Sequence, residues 1–321
     1  MDGKLPESMK QRIIAGHRVT KEEAQKLACA DLNELAKAAN DIRRHFCGDA
    51  CDICSILNGK SGGCSEDCIY CAQSAHSRTV APEYPVQSIV PHLSRIRECS
   101  AGRLAIVTAG RTLTEPELDL LCENYRILGK TCNTSLCASH GLLTESQLLR
   151  LKEAGVVRYH ANLETSRRFF PHICTTHTYD DKLTVITAAQ RAGLEVCSGG
   201  IFGIGETMED RIDMARELRN LGIRSVPINI LNPIPGTPLA DAVPMTEDEI
   251  RRVVALYRFI LPDSFLRIAG GRNLLPDKGK CLFSAGANAV ISGDFLTTTG
   301  ISISEDRAML RSLGFEEETK K

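Results

Sequence analysis

The chain has 321 residues, 43% of them hydrophobic, enough for one large domain or two small ones around a sizeable core. Its formal net charge of −1, with no long run of like charge, argues against a general electrostatic grip on nucleic acid or an anionic membrane. The opening MDGKLPESMKQRIIAGHR lacks the apolar centre of a secretory signal, and no run of about 18 apolar residues occurs, so a cytoplasmic protein is expected.

The first stretch reads as helices. Thr20-Lys21-Glu22-Glu23 is a capping box, and Ala24, Leu27, Ala28, Leu32 and Leu35 continue at helical spacing. Residues 1–46 are expected to form a helical segment ahead of a main domain spanning 47–321. From Cys51 onward, β-like runs alternate with amphipathic helices. The predicted strands cover 51–57, 103–108, 131–137, 156–162, 194–200, 223–229, 264–270 and 287–293. Helices between them start at capping boxes on Thr114, Thr144 and Thr246 and stop at Gly155, Gly193, Gly222 and Gly314. The helix over 209–221 should bury Ile212, Ala215 and Leu218. Eight strands alternating with helices predict an α/β fold, a (β/α)8 TIM-type barrel with an N-terminal helical extension; a doubly wound open sheet is the alternative.

Fourteen cysteines in a reducing compartment point to metal ligands, buried small apolar side chains, or both, rather than a disulfide framework. So many oxidisable thiols suit an organism that lives without oxygen. Cys64-Ser-Glu-Asp-Cys68-Ile-Tyr-Cys71 follows the first strand and the small, polar Asn58–Gly63 loop. Loops at that end of barrel strands are where such folds do chemistry. Three thiolates at this spacing can hold three corners of a four-iron cluster, leaving one iron without a protein ligand. The competing readings are three unrelated buried cysteines or a zinc site from Cys51, Cys54, Cys68 and Cys71. The zinc site would need the chain to bend back after a segment that reads as a strand.

The C-x3-C-x2-C spacing, with the aromatic Tyr70 before its last cysteine, resembles the radical SAM superfamily. The resemblance implies that the open iron chelates S-adenosylmethionine, that one electron cleaves it to a 5′-deoxyadenosyl radical, and that Tyr70 lies against the adenine. From about residue 40, the ordered motifs NGKSGGCSEDCIYCAQS, HANLETS, TTHTYDDK, VCSGGIFGIGET, SVPINILNPIPGTPL and AGANAVISG are similar to the biotin synthase family. That resemblance implies sulfur insertion into dethiobiotin at C9 and C6, with sulfur drawn from an auxiliary iron–sulfur cluster. It also implies a flavodoxin or ferredoxin as electron donor, iron–sulfur assembly machinery as a partner, and a homodimer. The hydrogenase maturase and methylornithine synthase are the related alternatives; a non-catalytic zinc module is the distant one.

The family implies roles at matching positions. Asn162 and Glu164 meet the SAM ribose and the substrate's ureido region; the family more often has Asp at 164. Lys182 pairs with the SAM carboxylate, where Arg is usual and a bidentate grip is lost. Ala109 offers a backbone contact to the SAM amino group, Asn229 bonds the ureido ring, and Gly199, Gly200, Gly203 and Gly205 let backbone approach SAM. In its usual form the auxiliary cluster has two irons, three cysteines and an arginine. Cys137, Cys197 and Arg267 match three of these; the fourth position falls at Ile106, which cannot ligate iron. Cys54 on the first strand, sharing a face with Ile56 and opposite Cys51, is the replacement. Three thiolates suit a four-iron cluster whose distinct iron carries an extra sulfide, resembling the form of strict anaerobes; a 2Fe-2S cluster is the alternative. Arg267 then becomes a cluster neighbour. Cys47 and Cys174 are further candidate ligands, and Cys29, Cys99, Cys122, Cys132 and Cys281 are read as core or surface residues.

Overall fold

The computed structural model describes residues 4–79, 82–98, 101–294 and 300–318. A closed parallel barrel is built from β1 (Ala50–Lys60), β2 (Arg103–Thr108), β3 (Ser135–Ser139), β4 (Val156–His160), β5 (Glu195–Cys197), β6 (Gly200–Phe202), β7 (Ser225–Ile230), β8 (Phe265–Ile268) and β9 (Ala289–Ser292). β1 to β5 each pair with the next in parallel, β5 and β6 share one stave and both pair with β7, β7 pairs with β8 and β8 with β9, and Asp52–Ser55 pair with Ala289–Ser292 to close the ring. The open doubly wound alternative is therefore overturned: β1 has neighbours on both sides. A short β10 (Glu316–Glu317) adds to the start of β1.

Strand parity sorts the side chains. Ile53, Ile106, Leu136, Ala138, Tyr159, Val226, Leu266 and Val290 face the surrounding helices and join the main apolar core. Cys54, Ile56, Ala105, Val107, Cys137, Arg158 and His160 face the lumen. The outer layer includes α5 (Glu115–Thr131), α6 (Glu145–Glu153), α7 (Tyr179–Arg191), α8 (Met208–Asn220) and α9 (Glu247–Ile260). Capping boxes open α5, α6 and α9 at Thr114, Thr144 and Thr246, and α7 and α8 at Thr178 and Thr207. Gly155, Gly193 and Gly222 end their helices with positive φ. Ahead of the barrel run α1 (Lys4–Ile14), α2 (Lys21–Ala28) and α3 (Leu32–Cys47). Helix α3 packs on α9, and α2 on α8 and α9.

Two predicted strands differ from those observed. Residues 131–134 are not strand, because Thr131 still belongs to α5, its hydroxyl bonding to the Ile127 carbonyl at 2.8 Å, and Cys132 caps that helix. The strand predicted over 194–200 breaks at Ser198–Gly199. There the Gly199 N–H is taken by the Asn162 side chain (3.0 Å) and its carbonyl by the Glu164 N–H (3.1 Å), so the loop after β4 draws this backbone out of the ladder.

Candidate active site

The lumen holds a cavity of about 450 Å³ that runs from the loop after β1 to the barrel floor. At its mouth stand Cys64, Cys68, Cys71 and Tyr70, all half-buried. Their loop is clamped from below. The Asp67 carboxylate accepts the N–H groups of Thr175 (2.9 Å) and Thr176 (3.2 Å), and Glu66 lies 2.5 Å from His177 Nδ1 and 3.6 Å from Arg111. The Gln73 amide oxygen takes the Gly62 N–H at 2.8 Å. Three thiols on one braced loop, free of disulfides, fit the three protein corners of a four-iron cluster.

Cys174, one of the two unassigned candidates, sits beside this loop, its sulfur 3.8 Å from Cys68 and 3.1 Å from Asp67 Oδ1. Cys68, Cys174 and His177 come close enough together to grip one ion. Since Cys68 already belongs to the cluster loop, this group is an annex of that site. The hydrogen bond from Cys68, with those from His177 and Thr176, pulls the Cys174 thiol down to about 4 against the burial that opposes it. Cys47 lies elsewhere, at the end of α3, 3.4 Å from the buried Arg258 guanidinium, and does not line the cavity.

At the other end of the cavity Cys54 (β1), Cys137 (β3) and Cys197 (β5) converge, all buried. Burial raises the Cys54 thiol, and raises Cys137 to about 11. Burial acts on Cys197 in the same sense, but a hydrogen bond from His160 and the charges of Arg267 and Arg158 bring it down to about 6. Between Cys54 and Cys137 the ladder carries Ala105, not Ile106. Register pairs Ala105 with Ile56 and Cys137, and Ala105 lines the lumen, whereas Ile106 packs outward. The position lacking a ligand on the second strand is thus Ala105, one residue before the expected Ile106, whose parity points it away from any cluster. Cys51 also faces out, on the opposite side of β1 from Cys54, so a zinc site from Cys51, Cys54, Cys68 and Cys71 is not assembled.

Beneath the three thiols lies a charged floor, of which the sequence pointed only to Arg267. Asp52, 2% exposed, is 2.8 Å from Arg103, 2.8 Å from Arg267 and 3.4 Å from Arg158. Burial would raise its carboxyl, but the guanidiniums of Arg267, Arg103 and Arg158 hold it well below the usual range. Arg158 and His160 could have been read from strand parity, since both share the face of Asn162.

Along the wall, Asn162, Glu164, Lys182, Ala109 and Asn229 all line the cavity. Asn162 donates to Glu164 Oε2 (3.2 Å) while its oxygen holds the Gly199 N–H. Glu164 adopts a left-handed backbone (φ 69°), unusual for a side chain of this size, stabilised by bonds to Gly199 and Ile201. Asn229 donates to the Gly200 carbonyl (3.1 Å) and accepts the Gly270 N–H (3.1 Å), which fixes its amide. Ala109 gives its N–H to the Lys60 carbonyl at 3.0 Å. Gly199, Gly200, Gly203 and Gly205 do not line the cavity. At Gly199 and Gly200 the missing side chain serves packing: a Cβ would lie 2.0 Å from the Pro227 oxygen and 2.3 Å from the Glu164 oxygen.

Residues 60–218 match the family model described as the radical SAM superfamily, and residues 227–316 match the Biotin and Thiamin Synthesis associated domain. The fold and the braced cysteine loop thus define a radical SAM enzyme, a class built on a four-iron cluster and S-adenosylmethionine. Among curated relatives, biotin synthase of Akkermansia muciniphila is 55% identical, covering 97% of this chain and 98% of its own. Biotin synthase of Clostridium botulinum is 53% identical, covering 96% and 98%. The chain belongs to the biotin synthase family. Solved structures of methylornithine synthase (TM-score 0.84, 18% identity, 97% of both chains) and of a maturase of the [FeFe]-hydrogenase (TM-score 0.85, 18% identity, 100% of this chain and 77% of that one) share its fold.

Proposed function

We propose that this enzyme inserts sulfur into dethiobiotin to form biotin, with the sulfur held at a second iron–sulfur centre on Cys54, Cys137 and Cys197. The carrying observation is that these three buried thiols share one cavity with Cys64, Cys68 and Cys71. A radical generated at the mouth and a sulfur source at the floor then face the same enclosed volume. When bound, the mouth cluster supplies the electron that opens S-adenosylmethionine to a carbon radical.

The chain's own residues orient and exclude. Lys182 and the Ala109 carbonyl take the two ends of the amino-acid portion of SAM, Asn162 and Glu164 the ribose, and Tyr70 the adenine. Asn229, already held by Gly200 and Gly270, presents a fixed amide to the ureido ring. Ile56, Val107 and Ile291 pack against the floor thiols as an apolar wall that keeps water from where a carbon radical would form. Arg267 neighbours the floor thiols. Electrons come from flavodoxin or ferredoxin, the clusters from iron–sulfur assembly machinery, and the protein works as a cytoplasmic homodimer.

The test is the iron and acid-labile sulfide content of anaerobically purified protein, read with Mössbauer spectra. Wild type should hold about eight irons and Cys54→Ala about four. Adding Ala105→Cys to Cys54→Ala should restore a ligand on the neighbouring stave and yield a two-iron signature. Unchanged iron in Cys54→Ala would remove Cys54 from the ligand set, and a wild type with only the mouth cluster would sink the second centre.

A further inference from the structure

Cys174 is a buried thiol with no part in the proposed sulfur insertion. It is 4% exposed and does not line the cavity, whereas Cys68 lines it and is half-exposed. The two sulfurs nevertheless lie 3.8 Å apart, although 106 residues separate them in the chain. Among the described residues no other two cysteines share a hydrogen bond between their sulfurs.

The chain is tied on both sides of this pair. The Ile69 N–H donates to the Ile173 carbonyl at 3.0 Å, and the Asp67 carboxylate accepts the Thr175 N–H at 2.9 Å. Residue 69 thus meets 173 and residue 67 meets 175, which sets Cys68 opposite Cys174 as in an antiparallel crossing. The Cys174 sulfur is further held by Asp67 Oδ1 (3.1 Å), His177 Nδ1 (3.2 Å) and Thr176 Oγ1 (3.4 Å). A disulfide needs sulfurs about 2.05 Å apart on backbones that already run close together. Here the backbones are fixed side by side, and side-chain rotation closes the remaining gap. A half-exposed thiol without such a neighbour oxidises past the sulfenic acid to forms that thiols do not reduce; a neighbouring thiol stops the ladder at a disulfide.

We propose that Cys68 and Cys174 form a reversible disulfide when the mouth loop meets hydrogen peroxide, a modification site that preserves a cluster-binding thiol for rebuilding. The Cys68 thiolate attacks one peroxide oxygen, the O–O bond breaks, hydroxide leaves, and a sulfenic acid forms. The Cys174 thiol then attacks that sulfur, the S–O bond breaks, and water leaves as the S–S bond closes. The two thiols lose two electrons, and peroxide takes them to give two waters once hydroxide binds the proton shed by Cys68. The disulfide involves the mouth loop alone and is independent of the centre proposed at the floor.

The experiment exposes anaerobically purified, cluster-loaded protein to hydrogen peroxide, alkylates the remaining thiols and maps tryptic peptides by mass spectrometry. Trypsin releases 61–78, which holds Cys64, Cys68 and Cys71, and 169–182, which holds Cys174 alone. Wild type should yield these two peptides joined, and cleavage after Glu66 with fragment spectra should put the bond on Cys68. A second sample is reduced with a thiol and resupplied with iron and sulfide. Wild type should return to its starting iron. Cys174→Ser should start with the iron content of wild type, accumulate sulfinic acid at Cys68, and come back short by the mouth cluster's share, about four irons. Absence of the cross-link in wild type, or a bond from Cys68 to Cys64 or Cys71 in its place, would overturn the site. So would full iron recovery by Cys174→Ser, or iron already low in that variant before exposure, which would make Cys174 a cluster ligand.

Discussion

His140 follows β3 and is 1% exposed, with Thr108 Oγ1 3.0 Å from Nδ1 and the Tyr125 hydroxyl 2.9 Å from Nε2. Because Tyr125 also donates to the Cys137 carbonyl at 3.1 Å, the ring donates from Nε2 to that hydroxyl and accepts at Nδ1, a neutral tautomer. Burial lowers its pKa to about 3 from 6.5. The folded state thus resists a proton that the unfolded chain takes up. Stability from this site is complete above pH 6.5 and falls as pH drops toward 3, by at most about 1.4 kcal/mol per pH unit. Anaerobic urea midpoints between pH 7.5 and 5.5 should therefore decline less steeply in His140→Gln than in wild type; parallel slopes would assign the decline to other groups. His140 was invisible in the sequence because its burial depends on α5 bringing Tyr125 behind β3. Cys54 was legible, since strand parity alone separates it from Cys51. The slip from Ala105 to Ile106 shows the limit of that reading: one residue changes the face, and only pairing with Cys137 fixes the register.

At the level of elements, local chemistry was the most readable. The boxes at Thr20, Thr114, Thr144 and Thr246 needed only a hydroxyl and a carboxylate or amide three residues on, and each caps its helix. The split between β5 and β6 was not readable, because its cause is Asn162 in the loop after β4. That split makes Gly199 a packing residue. Gly199→Ala would set a Cβ 2.0 Å from the Pro227 oxygen, which is backbone and cannot turn aside. It should lower stability by about 3 kcal/mol or more, as overpacking does, and loosen the Asn162 contact. Gly129→Ala on α5, whose Cβ would meet nothing nearer than Leu136 at 3.9 Å, should raise stability by about 0.5–1 kcal/mol. Urea unfolding of the two variants checks both signs; equal destabilisation would mean the β5–β6 gap tolerates a side chain.

For the whole molecule the question is how far the barrel depends on the proposed iron–sulfur centres. The main apolar core lies between strands and helices, and among the described residues only Cys51, Cys122 and Cys174 contribute buried thiols to it. Cys54 and Cys137 form a separate small cluster in the lumen with Ala105. Ring closure rests on the β1–β9 ladder, and the floor is tied across β1, β2, β4 and β8 through Asp52. None of these requires iron. The loops at the mouth are different: Asp67 and Glu66 brace the cysteine loop, yet its three thiols remain half-exposed. A ligand that binds only the folded state stabilises it by mass action, most strongly where the free protein is least ordered. Removing iron with a chelator under anoxia should thus leave far-UV circular dichroism and a cooperative thermal transition, at a lower Tm. Backbone hydrogen exchange should rise mainly over 61–75 and 173–178 while β1–β4 stay protected. Exchange spreading through the strands instead would mean the clusters hold the barrel closed, and that the Asp52 floor is too weak to do so alone.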